Sequence, residues 1–330
     1  MGKRERKISK FTGRWITEQG AGTVEYVIVV LVAIVIGAGL LAFGNQVSGQ
    51  VSKTGDSISS WFSKANGTGG TGGGNAGGGN SGTDSRIEEL KKKDPADWTL
   101  DDQKAVAEDI GKKGNSSELY SKAKDAMDEG TTWSVKLTDG KTLTYRIIGI
   151  NHDDLADGSG KAGLTFLTTS TGIQSRMNPT DTNAGGWKQS ELRQKMNSGE
   201  IWNLMPADFQ SKVKTVTKLT NNVGGTDKNA AVTATSDRLF LLSYSEIVPT
   251  SYWAADYSWT SSEGTQYEAF KGKVMNNYSS NDCLKIGSFW WERSVRPNHL
   301  PSFLIVISSG DPSGSDYATD SNCVCPAFSF

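Results

Sequence analysis

The sequence predicts an α+β chain in three parts: a long N-terminal transmembrane helix, a glycine-rich linker, and a C-terminal domain of strands and short helices. Three observations predict this. Val27 to Phe43 (VIVVLVAIVIGAGLLAF) carries no charge. Asn66 to Ser85 is nearly all Gly, Ser, Thr and Asn. Beyond Thr131, short β-branched and aromatic runs alternate with turn residues, and eight of the ten Trp lie past the glycine stretch.

The bulk numbers exclude some functions. The chain has 330 residues and a formal net charge of -1, so its overall balance suggests no nucleic-acid partner. Three cysteines (Cys283, Cys323, Cys325) and two histidines (His152, His299) show no metal-ligand spacing, and no metal or cofactor is expected. Cys323 and Cys325, two apart on an extended segment, point to opposite faces and would not readily pair.

The basic leader, residues 1–20, holds Lys3, Arg4, Arg6, Lys7, Lys10 and Arg14. Positive charge before an apolar segment stays cytoplasmic, which sends the chain after Phe43 outward. Counted from Ala21, the apolar stretch reaches the ~20 residues that cross a bilayer as a helix. Glu25 sits just inside it, where an unpaired carboxylate is expensive and marks function. Val47, Val51, Ile58 and Phe62 continue one apolar stripe, so residues 21–64 read as a single membrane and filament helix.

The run EQGAGTVEYVIVV (Glu18 to Val30) resembles the processing site of type IV pilins, and its pair Glu25-Tyr26 resembles the Flp pilins of tight-adherence (Tad) pili. That resemblance implies cleavage by a prepilin peptidase after Gly20, making Ala21 the new amino terminus and Glu25 the fifth residue. It also implies pairing of the Glu25 carboxylate with a neighbouring pilin subunit's terminal amine. An uncleaved signal anchor is the plainer alternative. The chain is then expected at the cell membrane and the extracellular surface.

Residues 65–85 are the flexible linker, too polar to bury and too glycine-rich to order, with a mean span on the order of 25 Å. Residues 86–130 are charged and helix-prone. Thr99 caps Leu100-Asp101-Asp102, Gly114 stops that helix, and a second helix is expected from about Ser117 to Glu129, ending at Gly130.

From residue 131 to 330 the pattern predicts a hairpin from Trp133–Leu137 and Leu143–Ile150 about Asp139-Gly140. A helix is expected over Trp187–Met196, a buried strand over Leu239–Ser243, a short helix over Glu268–Met275, and a strand over Phe303–Ile307. Phe289-Trp290-Trp291-Glu292-Arg293-Ser294 reads as core beside a charge that needs a partner.

Together with LFLLS, the helix at Trp187 and the terminal PAFSF, this segment resembles the formylglycine-generating-enzyme-like branch of the C-type lectin fold. The ending resembles the variable proteins of diversity-generating retroelements, which rewrite adenines near the 3′ end of a gene. An adenine-randomised AAC or AAT codon never yields Lys, Glu, Gln, Met or Trp. Val295–Phe330 contains none of these, although they make up about one residue in five elsewhere.

The resemblance implies a variable region of about 295–325. Its ligand-binding candidates are Asn298, His299, Leu300, Pro301, Ile305, Ile307, Ser313, Gly314, Ser315, Asp316, Tyr317, Thr319, Asp320 and Cys323. Trp290, Trp291 and Arg293 are expected to be scaffold. Strand alternation puts Ile305 and Ile307 on one face, expected outward, and Leu304 and Val306 on the other; burial of both sets in a two-sided strand is the alternative. The expected partner is an unknown protein or surface ligand. No catalytic constellation stands out, so an enzyme is not expected. The competing readings are a purely structural pilin and, implied by the fold resemblance, a formylglycine-generating-type oxidase, whose reactive cysteine-pair motif Cys323 and Cys325 do not match.

Overall fold

The computed structural model describes residues 81–274 and 279–330. Its first elements are the helices α1 (Ser81–Lys92), α2 (Leu100–Lys113) and α3 (Tyr120–Glu129). At the start of α2, Thr99 Oγ1 accepts the Asp102 N–H at 3.2 Å while the Asp102 carboxylate accepts the Thr99 N–H at 2.8 Å. This reciprocal cap satisfies two donors that a helix start leaves open. α3 ends at Gly130, whose left-handed φ of 72° lets the chain turn off the helix.

Strands β1 (Thr132–Lys136) and β2 (Thr142–Ile150) form the expected hairpin, followed by β3 (Leu164–Thr168) and β4 (Gln174–Ser175). Four short helices come next: α4 (Gly186–Gln189), α5 (Glu191–Asn197), α6 (Glu200–Leu204) and α7 (Ala207–Gln210). The single helix expected over Trp187–Met196 is thus broken. Ser190 is extended there, donating its hydroxyl to Trp187 O at 3.0 Å and accepting the Arg193 N–H at 3.1 Å, so it ends one helix and caps the next.

Strands β5 (Val216–Asn221) and β6 (Val232–Asp237) pair with each other, and α8 (Tyr244–Ile247) follows. The chain closes with β7 (Trp290–Val295), β8 (Ser302–Val306), β9 (Gly314–Tyr317), β10 (Asn322–Cys323) and β11 (Ala327–Ser329). The expected strand at Leu239–Ser243 is buried but is not a strand. It makes one bridge, Phe240 to Ala327, and two of its other carbonyls serve β7: Arg293 N–H donates to Leu242 O and Arg293 Nη1 to Leu241 O. The helix expected from Glu268 is a single 3-10 turn, Glu268–Phe270.

The strands make a four-stranded sheet of order β1-β2-β3-β11, a five-stranded sheet of order β4-β10-β7-β8-β9, and the β5-β6 ribbon. One apolar core joins them to the helices: Ile87, Leu90, Val106 and Ile110 belong to the same buried cluster as Phe166, Phe328 and Trp291. The described residues form one compact unit, so the helices of 86–130 belong with the sheets.

The expected fold class is therefore corrected. In place of an α+β chain with a long transmembrane pilin helix and a C-type-lectin-like domain, the described chain is mixed α/β, with its sheets in the C-terminal part. Among the described residues no helix is long and apolar enough to cross a membrane. The 14 residues of α2 rise about 21 Å, short of the ~30 Å hydrocarbon layer, and that helix carries Asp101, Asp102, Lys112 and Lys113. The expected span within 21–64, with Gly20, Ala21, Glu25 and Tyr26, lies outside the described residues.

Candidate functional site

The β7–β8 hairpin closes through the Arg296 N–H, which donates to Ser302 O at 3.0 Å. Its tip is Asn298 to Pro301, between the two strands. Asn298 takes a left-handed φ of 58°, a conformation that asparagine tolerates better than most side chains. Its N–H donates to Gly225 O at 2.8 Å. β9 runs alongside, pairing Tyr317 with Ser302 and Asp316 with Phe303. Beyond it, the Ala318 N–H donates to Pro301 O at 2.8 Å, tying the two segments together.

Asn183, fully buried, supports this tip. Its side-chain NH2 donates to His299 O at 2.8 Å and Ser302 O at 2.7 Å, its Oδ1 accepts the Gly225 N–H at 3.1 Å, and its own N–H donates to Leu300 O at 2.7 Å. Gly225 must be glycine for want of space, since a Cβ there would lie 2.0 Å from Arg296 O. The Val223–Gly225 turn is itself shaped by Asn221, whose Oδ1 accepts the Val223 and Gly224 N–H groups at 2.9 Å and 3.2 Å.

A buried polar network lies behind that turn. The Arg293 guanidinium donates to both Glu246 oxygens, to Thr220 Oγ1, and to the carbonyls of Leu241, Leu219 and Glu263. Lys218 joins it through Glu246 at 2.5 Å and Asp153 at 2.6 Å. Burial opposes charge on Glu246 and Asp153, but Arg293 beside the first and Lys218 beside both hold their carboxyls below the usual range. Glu263 differs. Burial raises its pKa to about 7, against the pull of hydrogen bonds from Ser294 Oγ and the Asn221 N–H. Glu292 is buried with no hydrogen-bond partner on either carboxylate oxygen, and burial followed by the nearby Glu263 drives it well above the usual range.

The structure brings together Asn298, His299, Leu300 and Pro301 with Ser315, Asp316, Tyr317, Thr319 and Asp320. Asn298, Leu300, Tyr317 and Thr319 are exposed and the others partly so. The His299 ring lies 6.1 Å from that of Tyr317. Thr319 donates its N–H and hydroxyl to Asp181, and Asn322 donates to Asp316 at 3.0 Å. A hydrogen bond with Asp316 raises the Asp320 carboxyl. Val223, exposed like Leu300 and Tyr317, lies on the turn that Gly185 contacts, adjoining Asn183.

Two expected surface residues are corrected. Ile305 and Cys323 are each only 1% exposed. Every residue of β8 from Ser302 to Val306 is buried, so both faces of the strand are covered and the side-chain alternation leaves none of them wet, and both residues of β10 are buried likewise. Gly314 covers Ile305 closely: a Cβ there would lie 2.9 Å from Ile305 Cγ1 and 2.6 Å from Ile307 Cγ2, so this position is not free to vary. Ile307 is half-buried, and Ser313 is held by the Asp311 carboxylate at 2.8 Å from its N–H.

Trp290, Trp291 and Arg293 lie in the core, with the indoles donating to Leu284 O at 3.1 Å and Ser175 O at 2.8 Å. None of Cys283, Cys323 and Cys325 forms a disulfide. Sequence reasoning missed Asn183, Asn221, Gly225, Glu246 and Glu263. All but Glu246 sit in or beside Asn- and Gly-rich connections that read as solvated loop.

Neither a curated protein nor a solved structure matches this chain. A family pattern does match, over residues 162–330, which is more than half of the sequence and runs from just before β3 through the exposed tip to the last residue. The chain belongs to the family described as Domain of unknown function (DUF6273).

Proposed function

We propose that this chain is a displayed ligand-binding protein, an adhesin or receptor, whose binding face is the 298–301 tip with residues 315–320 beside it. One observation carries the reading. The tip exposes Leu300 and β9 beside it exposes Tyr317, yet the tip's backbone is pinned by buried Asn183 and by Gly225. Exposed apolar groups rimmed by polar ones on a fixed backbone are the anatomy of a recognition surface, and the fixed backbone lowers the entropy lost on binding.

The tip can change its side chains while its supports stay, which suits diversification by a retroelement acting on the exposed positions within 295–325. Display at the cell surface among pilin subunits rests on the leader and on Gly20, Ala21, Glu25 and Tyr26. The test exchanges residues 298–301 and 315–320 for a second natural set. Loss or change of ligand with an unchanged melting temperature is the expected result. Unfolding, or unchanged binding, sinks the reading. Adjacent DNA should carry a near-copy of the last gene segment that differs only at adenines.

A further inference from the structure

The geometry points to Glu263 as the residue that positions the exposed tip and ties its rigidity to pH, an inference that rests on the tip being the ligand face. Four links connect them. The Glu263 Oε1 accepts the Asn221 N–H at 2.8 Å. The Asn221 side chain then grips the next turn, accepting from Val223 and Gly224 and donating from Nδ2 to Gly224 O at 3.0 Å. Gly225 follows directly, its N–H held by Asn183 Oδ1 at 3.1 Å. Gly225 O finally accepts the Asn298 N–H at 2.8 Å, in the tip itself. No side chain in this relay is exposed: Glu263, Asn221 and Asn183 are each 0% accessible.

The charges facing Glu263 come from every element packed on it. Arg293 of β7 takes the Glu263 carbonyl as one of its acceptors, Glu246 of α8 lies across that guanidinium, and Lys218 of β5 lies behind Glu246. Glu292 of β7 adds a second carboxyl. Arg293 is already matched by Glu246 in a two-pronged pair. Glu263 is therefore left as the acid that exchanges its proton in the neutral range, at about 7.

Ionised, its two oxygens accept from Asn221 N–H and Ser294 Oγ–H, both charge-assisted. On protonation, the new O–H points to Ser294 Oγ, whose own hydrogen turns away, and Asn221 N–H is left on a neutral oxygen. Charge-assisted hydrogen bonds are roughly twice as strong as neutral ones, so the 221–225 turn and the tip it carries loosen on acidification. Global stability moves the opposite way, because burial disfavours the Glu263 anion in the folded chain. The opposed signs separate a local effect from a general one.

The test is amide hydrogen exchange on the full-length chain between about pH 6 and about pH 8, corrected for intrinsic rates. Protection at Asn221, Gly225 and Asn298 should fall about fivefold at the lower pH, while Phe166 in β3 stays constant or gains. Glu263→Gln, neutral at every pH, should keep the weakly protected state throughout. If that variant is too unstable, Ser294→Ala should shift the midpoint of the wild-type step. A flat profile, a step that persists in Glu263→Gln, or a step shared by Phe166 overturns the inference. Should the profile hold while exchanging 298–301 leaves binding untouched, the relay stands and the ligand-face reading alone falls.

Discussion

Glu246 grips Arg293 with both carboxylate oxygens, at 2.5 Å and 2.9 Å, and neither side chain is more than 2% exposed. The pair joins α8 to β7, and through the guanidinium's bonds to Leu219, Thr220 and Leu241 it also fixes the β5 strand and the Leu239–Ser243 segment. Every donor of Arg293 is aimed at an acceptor, which is how a charge so far from water is tolerated.

Removing one partner should therefore be severe. Glu246→Gln leaves Arg293 and Lys218 with one fewer counter-charge in the interior, and breaking a buried pair this way costs about 3–5 kcal/mol. Arg293→Lys loses the planar fork that meets both oxygens and should fall in the same range. Urea unfolding followed by tryptophan fluorescence measures both. A loss under ~1 kcal/mol in either variant contradicts this role.

Glu292 gives a pH prediction with a definite sign. Its folded pKa lies well above the ordinary 4.5, so the folded chain holds this proton more tightly than the unfolded chain does. Its contribution to stability is complete below about pH 4.5 and is lost progressively as pH rises towards the folded value. The melting temperature should decline from about pH 5 to about pH 8, and Glu292→Gln, neutral throughout, should lessen that decline and leave the part due to Glu263. Glu268 acts at the other end. Burial opposes its charge, but the hydrogen bond with His152, helped by Lys271, holds its carboxyl down to about 2, so its contribution is present above about pH 4.5 and fades below. Calorimetry across this range reads both limbs.

Gly225 tests the mounting of the tip. An alanine Cβ would meet Arg296 O at 2.0 Å, a backbone atom that cannot swing aside. Gly225→Ala should cost about 1–3 kcal/mol by overpacking and displace the 296–298 turn, weakening binding far more than loss of a surface side chain would. The measurement is a melting curve alongside ligand binding. Unchanged values for both would mean that the turn is not held at this point.

How much of this was legible differs by element. The Thr99 cap, the Gly130 stop and the Asp139-Gly140 hairpin are local rules, written within a few residues, and all appear in the fold. Asn183 was not legible. Its partner His299 lies 116 residues away, and an Asn in a Gly-Asn loop looks like any solvated turn. The Leu239–Ser243 segment has the composition of a buried strand, but its hydrogen-bonding groups are divided among β11, Arg293, Asn197 and Glu246, which no local pattern encodes. Ile305 did leave a signal. Phe303-Leu304-Ile305-Val306 is an unbroken apolar run, and such runs mark strands covered on both faces, whereas alternation marks a strand with one wet face.

That distinction yields the sharpest test of which residues make the face. Ile305 and Tyr317 stand on neighbouring strands of one sheet, but Ile305 is 1% exposed and Tyr317 is 50% exposed. Ile305→Ala removes buried methyl groups between β7 and β9 and should destabilise the fold by about 2–5 kcal/mol. Tyr317→Ala removes a ring that lies partly in water, so its effect on stability should stay within about 1 kcal/mol while binding is lost. Denaturation and binding measured on the same two proteins separate the roles. If Ile305→Ala lost binding with full stability, or Tyr317→Ala unfolded the chain, the face would have to be redrawn around β8. The opposite pattern leaves recognition with the tip and with the exposed end of β9, where side chains can change without opening the core.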